Sequence, residues 1–317
     1  MEQQNFTRTV TEIVLLGLTQ NYELQYFLFG VFFIIYMATC LGNFTIIIMV
    51  ILNHQLHTPM YFLLANLAFL DVTDSSINTP TLLSSLLSQH KIISFNECIL
   101  QIFFFHFIGG AMGLVLMIMA IDRYVAIYKP LQYLTIMNWD ICTGLVAGAW
   151  LGGMAHSLVQ IALLLQLPFC GPNVLENFYC DIPQVIKLAC ANTYIMELLM
   201  VSNSGLLLII TFIILLISYT ALLFKIRRHV TQGKHKALST CGAQITVVNL
   251  IFIPSIFIYA RPFTKFPLDQ LAAVVYTVIT PMLNPVIYAL RNAEMKKVIR
   301  RQIIRMLSSR RIQNHRV

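Results

Sequence analysis

Few residues of this chain could do chemistry, and most of those stand in apolar surroundings. Asp122-Arg123-Tyr124 closes one long hydrophobic stretch, and Asp71 sits in the middle of another. An ionisable group inside such a stretch is costly and reads as functional by default. At the edge of a stretch an arginine can pair with its neighbour or extend its head to water. A plain positive anchor would explain Arg123 but not Asp122. His106 and Tyr259 are isolated polar rings in apolar runs. His106 can donate a hydrogen bond to an alcohol, ketone or acid; a histidine satisfied between helices is the blander reading. The sequence has no His-Glu-x-x-His and no Gly-x-Ser-x-Gly, and its scattered acids form no pair with evident acid and base roles. The chemistry on offer is recognition and charge pairing, and no enzyme is expected.

Seven cysteines are present. Cys40, Cys142 and Cys241 fall in or at the ends of helices and read as small packing residues. Cys98 opens the third apolar stretch, while Cys170, Cys180 and Cys190 share one long loop assigned to the outer side, where disulfides persist. Two disulfides are expected. Cys98–Cys180 would pin the loop across the third helix, and Cys170–Cys190 would close it on itself. Four cysteines allow three pairings, and the sequence does not choose among them. Metal binding is the competing reading, but that loop holds no histidine, so no metal is expected. Asn5-Phe6-Thr7 is a glycosylation sequon on an outside tail, whereas Asn43-Phe44-Thr45 lies within the first helix, out of reach.

The elements that carry these residues follow from composition. Of 317 residues 58% are hydrophobic and only 11% charged, with a mean hydropathy of +0.75. Soluble chains carry about 25% charged residues. A span takes ~20 apolar residues, so the length suits about seven spans with short loops. Backbone groups in hydrocarbon must pair within their own segment, so the stretches are helices. They are placed at about 24–52, 59–87, 97–128, 141–165, 194–226, 237–260 and 268–290, with Pro80, Pro254, Pro281 and Pro285 inside them. The chain thus divides into an outer tail (1–23), a seven-helix membrane domain (24–290) and a cytoplasmic basic tail (291–317). Met1 to Gln20 has no basic n-region leading into an apolar core, so no cleaved signal is expected.

The net charge of +8 could suggest nucleic acid. Its placement argues otherwise, because Arg123, Lys129, Lys225, Arg227, Arg228, Lys234 and Lys236 fall in the inner loops and many more in the last segment. That bias sets the C-terminus inside and attracts anionic lipid. Residues Ala293 to Met306 mix basic side chains with Val298, Ile299, Ile303, Ile304 and Met306, a pattern for a short amphipathic helix on the inner leaflet. No internal repeat or path of ionisable groups suggests a transporter or channel.

Several segments together resemble one family. They are Leu56-His57-Thr58-Pro59-Met60-Tyr61, Leu67-Ala68-Phe69-Leu70-Asp71, Met119-Ala120-Ile121-Asp122-Arg123-Tyr124-Val125-Ala126-Ile127, Ser218-Tyr219, Lys236-Ala237-Leu238-Ser239-Thr240-Cys241 and Pro281-Met282-Leu283-Asn284-Pro285-Val286-Ile287-Tyr288. In this order they are similar to the odorant receptor branch of the rhodopsin-like G-protein-coupled receptors. The resemblance implies an all-α seven-transmembrane bundle that binds small volatile, mostly neutral molecules. It also implies activation of a stimulatory heterotrimeric G protein, cyclic AMP signalling and residence in the plasma membrane of olfactory cilia. A receptor for a small internal metabolite is the alternative. Asp122, Arg123, Tyr124, Tyr219, Asn284, Pro285 and Tyr288 are the implied coupling residues, and Asn43, Asp71 and Asn284 the implied intramembrane polar cluster. The chain departs from the pattern at Met112, where the family often has an acid, and at Ile121, Tyr128, Gln132 and Gln244.

Small-molecule sites in bundles lie between helices. The outer-half candidates are Phe105, His106 and Gly109 with Gly110 on the third helix, Ser202, Asn203 and Gly205 on the fifth, Phe252 and Tyr259 on the sixth, and Tyr276 and Thr277 on the seventh. His156 and Gln160 are weaker candidates. The glycines either make room or permit close helix packing. Phe105 stands where an amine-binding acid is expected, which favours neutral ligands.

Overall fold

The computed structural model describes residues 10–301 apart from 89–90, 171–172, 230–233, 263, 265 and 292–294. Asn5, Ile303, Ile304, Met306 and the side chain of Tyr288 lie outside the described residues. Among the described residues seven long helices form the bundle: α1 (Tyr22–Leu52), α2 (Pro59–Leu87), α3 (Phe95–Tyr128), α4 (Trp139–Leu164), α5, α6 (Lys234–Tyr259) and α7. Helix α5 runs through Tyr194–Val201, a π-helical turn at Ser202–Leu206, and Leu207–His229. Helix α7 runs through Asp269–Val274, a π-helical turn at Val275–Ile279, and Thr280–Arg291.

Caps explain where the helices begin. Asn21 accepts from the N–H of Glu23 and Leu24, and Asn138 accepts from that of Ile141. Ser94 and Glu97 form a reciprocal capping box. Pro59 takes the first position of α2, where its missing N–H costs nothing. Helices α3 and α4 therefore start two residues ahead of their apolar stretches. Residues 295–301 form a further helix, with Met295 and Val298 buried against the core.

Six of the described helical segments are long and apolar enough to cross a membrane. Helix α2 is long enough, at 29 residues, but more polar. It turns Asp71, Asp74, Ser75, Asn78 and Thr79 inward, all buried. Large apolar side chains such as Phe27, Ile34, Leu151 and Ile217 face outward at 64–69% exposure. Polar inside and apolar outside suits a lipid environment, and the chain is a multi-pass membrane protein.

The N-terminal segment is more than a tail. Strand β1 (Glu12–Leu15) lies between β2 (Lys91–Ser94), antiparallel, and β3 (Val174–Leu175), parallel. The period of two buries Ile13 and Leu15 against Cys98, Ile102, Leu164 and Leu188. Two disulfides close the same end. Cys98–Cys180 joins α3 to the long segment between α4 and α5 (Cα–Cα 5.4 Å), and Cys170–Cys190 closes that segment on itself (5.7 Å).

Candidate functional site

A cavity of about 150 Å³ opens between the helices, below this sheet. The disulfide-held loop contacts the side chains at its upper end. Cys180 donates its N–H to Gln101 Oε1 of α3 at 2.9 Å, which sets Tyr179 and Asp181 over the opening. The Asp181 carboxylate accepts from Tyr259 Oη at 2.5 Å, from Tyr179 Oη at 3.2 Å and from the Ile182 N–H at 2.8 Å. His106 Nε2 lies 3.6 Å from Asp181 Oδ1, the oxygen that accepts from Ile182, while both tyrosines donate to Oδ2. Tyr276 Oη is 2.8 Å from Tyr179 Oη and 3.2 Å from Tyr259 Oη. Burial, with Asp181 beside it, holds the Tyr179 phenol well above its ordinary pKa, so it remains a donor. One loop carboxylate thus meets α3 and α6 directly and α7 through the Tyr179 and Tyr259 phenols.

The walls are mostly apolar. Phe105, Met112, Leu208, Ile251 and Phe252 line them, with Gly109, Gly110, Gly113 and Gly152 where helices come close. A Cβ on Gly109 would meet nothing within 4 Å, so this glycine makes room. One on Gly110 would lie 3.0 Å from Gly153 Cα, so that glycine serves packing. On the α4 side His156 lies 5.8 Å from His106, ring to ring, and Gln160 Nε2 donates to Ser204 Oγ at 2.5 Å.

The floor is acidic. Asn284 Nδ2 lies 2.9 Å from both oxygens of Asp71. Asn43 makes no hydrogen bond to Asp71. It donates to the carbonyls of Pro281 and Thr39, each at 3.0 Å, and so ties α1 to α7. The polar cluster is two adjoining links, because α7 carries its carbonyl and its Asn284 amide to different neighbours.

Of the ten candidate ligand residues, six line the cavity: Phe105, His106, Gly109, Phe252, Tyr259 and Tyr276. Ser202, Asn203, Gly205 and Thr277 do not. Gly205 packs α5 on α6, where a Cβ would lie 2.6 Å from the Tyr259 carbonyl oxygen. Thr277 is fully buried and donates to the Ala273 carbonyl at 2.7 Å. The π-helical turn advances the register of α5 and brings Ser204 to the lining in place of its neighbours. Asp74, Ser204 and the loop residue Asp181 are site residues that sequence reasoning missed. The one available signal was for Asp74, three positions after Asp71 and so on the same helix face.

At the other end of the bundle Asp122, 1% exposed, pairs with Arg123. Tyr133 Oη donates to the second Asp122 oxygen at 2.6 Å. Burial first, then the Asp122 charge, raises the Tyr133 phenol above its usual range. Tyr124 is half exposed and stacks on Tyr128 at 4.4 Å, and Lys225 Nζ sits 3.4 Å above the Tyr128 ring. Tyr219 and Gln244 are buried near this end. Pro285 packs on α1 at Gly42, where a Cβ would lie 2.9 Å from the proline ring.

The sequence matches the protein-family profile described as "Olfactory receptor" over residues 32–310. It is 54% identical to human olfactory receptor 4D1 over 95% of this chain and 97% of that protein. Human olfactory receptor 4N5 is 52% identical over the same shares, and mouse olfactory receptor 4M1 is 50% identical over 97% of this chain and 98% of its own.

Proposed function

The chain belongs to the olfactory receptor family, and from that premise we propose that it takes small volatile, mostly neutral molecules into the cavity beneath Asp181 and activates a stimulatory heterotrimeric G protein. The observation that carries the reading is the cavity itself: an apolar chamber with a few phenols and a histidine at its upper end, of the kind that orients small molecules. A ligand touching Tyr259, Tyr276 and Phe105 presses on α6, α7 and α3 at once. Only ligands that bind one helix arrangement better than another can shift the balance between them. Arg123, paired with Asp122 at the inner end, is the group whose release would present a cationic surface to the G protein. Apolar walls discriminate by only ~1–3 kcal/mol per methylene, so selectivity is broad. The working location is the plasma membrane, in the cilia of olfactory sensory neurons.

Cyclic AMP in cells expressing the full chain, measured across a panel of volatile odorants with surface staining, tests this. A dose-dependent response is expected, lost in both Arg123→Ala and Tyr259→Ala while staining persists. Silence of the well-stained wild type across the whole panel would overturn it.

A further inference from the structure

Among the described residues lining the cavity, Asp74 is the acid whose carboxyl group the bundle does not use. Asp181 is held by two phenols and a backbone N–H, and Asp71 by the Asn284 amide. Asp74 is 5% exposed, lines the cavity, and makes no hydrogen bond or ion pair with any described residue. Met112 faces the same cavity from α3, and Phe252 and Ile251 from α6, while the lining hydroxyls of Tyr276, Thr280 and Ser255 are engaged with other phenols or with backbone carbonyls. A buried polar group left unpaired costs more than an ordinary hydrogen bond returns, and inside a membrane bundle such a group marks a function by default. The α3 lining extends from Phe105 to Leu114, about 13 Å of helix at 1.5 Å per residue. An elongated ligand can therefore meet the phenols at one end and the floor at the other.

Resting on the reading of this cavity as the ligand site, we infer that Asp74 is a specificity-determining acceptor for a hydrogen-bond donor, O–H or N–H, on the ligand end that reaches the floor. A carboxyl oxygen accepts in either protonation state, so a neutral hydroxyl suffices. An ether or alkyl end of the same size reaches the floor but leaves Asp74 unpaired, and sites built around a polar group reject analogues lacking its partner far more strongly than they reject a missing methylene.

The test uses matched straight-chain primary alcohols, their methyl ethers and the corresponding primary amines, added to the odorant panel and read as cyclic AMP concentration–response curves. In the wild type the donor-bearing member of each responding pair is expected to be more potent by about tenfold to a hundredfold. Asp74→Leu removes the acceptor and collapses that gap, with the ether keeping its potency. Asp74→Asn fits the same space and serves if the leucine variant does not reach the surface. Its amide N–H can meet an ether oxygen, so the gap narrows, and amines lose more than alcohols. Wild-type responses without a donor preference, or a gap unchanged in a surface-expressed variant, would overturn the inference alone. Silence of the wild type to every compound would overturn the receptor reading and this inference with it.

Discussion

Arg123 Nε lies 2.9 Å from one oxygen of Asp122, and Tyr133 donates to the other at 2.6 Å, so the carboxylate that holds the arginine is itself held from the loop that follows α3. Charge-assisted hydrogen bonds are the stronger kind, worth ~1.5–3 kcal/mol each. Asp122→Asn removes the charge and frees the guanidinium, and Tyr133→Phe loosens the carboxylate without removing it. Basal cyclic AMP, normalised to surface receptor, is expected to rise in both, most in Asp122→Asn, and by no more than about tenfold in Tyr133→Phe. Flat baselines in both variants would mean that the pair does not restrain the resting arrangement. Asp122 and Arg123 were legible because an adjacent acid and base at the end of an apolar stretch have few other uses. Tyr133 was not, since nothing in the sequence shows that the chain after Pro130 turns back under α3. Asp181 escaped for the same reason: its position depends on a disulfide whose pairing the sequence left open.

The helices were legible nearly to their ends, because apolar length and caps are local. What stayed hidden was how closely they approach and where their register slips. Pro281 lacks an N–H, and a π-helical turn stands just before it; Thr280 Oγ1 donates to the Val275 carbonyl at 2.9 Å, which also accepts the Thr280 N–H, and reaches that of Leu250 on α6 at 3.3 Å. No comparable cue marks the turn in α5, so two of three candidates there were placed beside the cavity rather than in it, and Gly205 in a packing contact. The α3–α4 contact has a sharper signature in the glycines. A Cβ on Gly153 would lie 2.5 Å from the Phe107 carbonyl oxygen and 2.6 Å from the Ala111 nitrogen, both backbone atoms that cannot rotate away, whereas one on Gly148 would meet nothing within 4 Å. Gly153→Ala is expected to cost ~1–3 kcal/mol by overpacking, seen as a lower melting temperature of the purified receptor and weaker surface staining. Gly148→Ala should match the wild type or exceed it, since alanine favours helix. Equal stability of the two variants would mean that α4 can shift without loss.

The whole molecule is polarised along the helix axes. One end carries the sheet, both disulfides and Asp181; the other carries Arg123, Lys129, Lys225, Arg227, Arg228 and Lys234. The clustering of basic residues at one end assigns that end to the cytoplasm by the positive-inside bias. The sheet was not legible in the sequence, because β3 is only two residues long and β1 pairs with segments far away in the chain. Together sheet and disulfides make a cover whose Asp181 is bonded to Tyr259, a side chain that lines the cavity. Cys98–Cys180 spans 82 residues of chain, and a bridge closing a long loop typically contributes ~2–4 kcal/mol. Breaking it releases the loop segment that carries Tyr179 and Asp181, and with it the acceptor for Tyr259. A membrane-impermeant reductant applied to intact cells is therefore expected to lower odorant potency by about tenfold or more, with surface staining unchanged. Cys98→Ser should start from that lowered potency and be little affected by the reagent. If only a permeant reductant changed the response, the disulfide end would face the cytoplasm, and the orientation inferred from the basic residues would be wrong. If neither reagent changed it, the cover would be a mechanical cap whose loop residues add nothing to recognition, and the Asp181–Tyr259 bond would be structural alone.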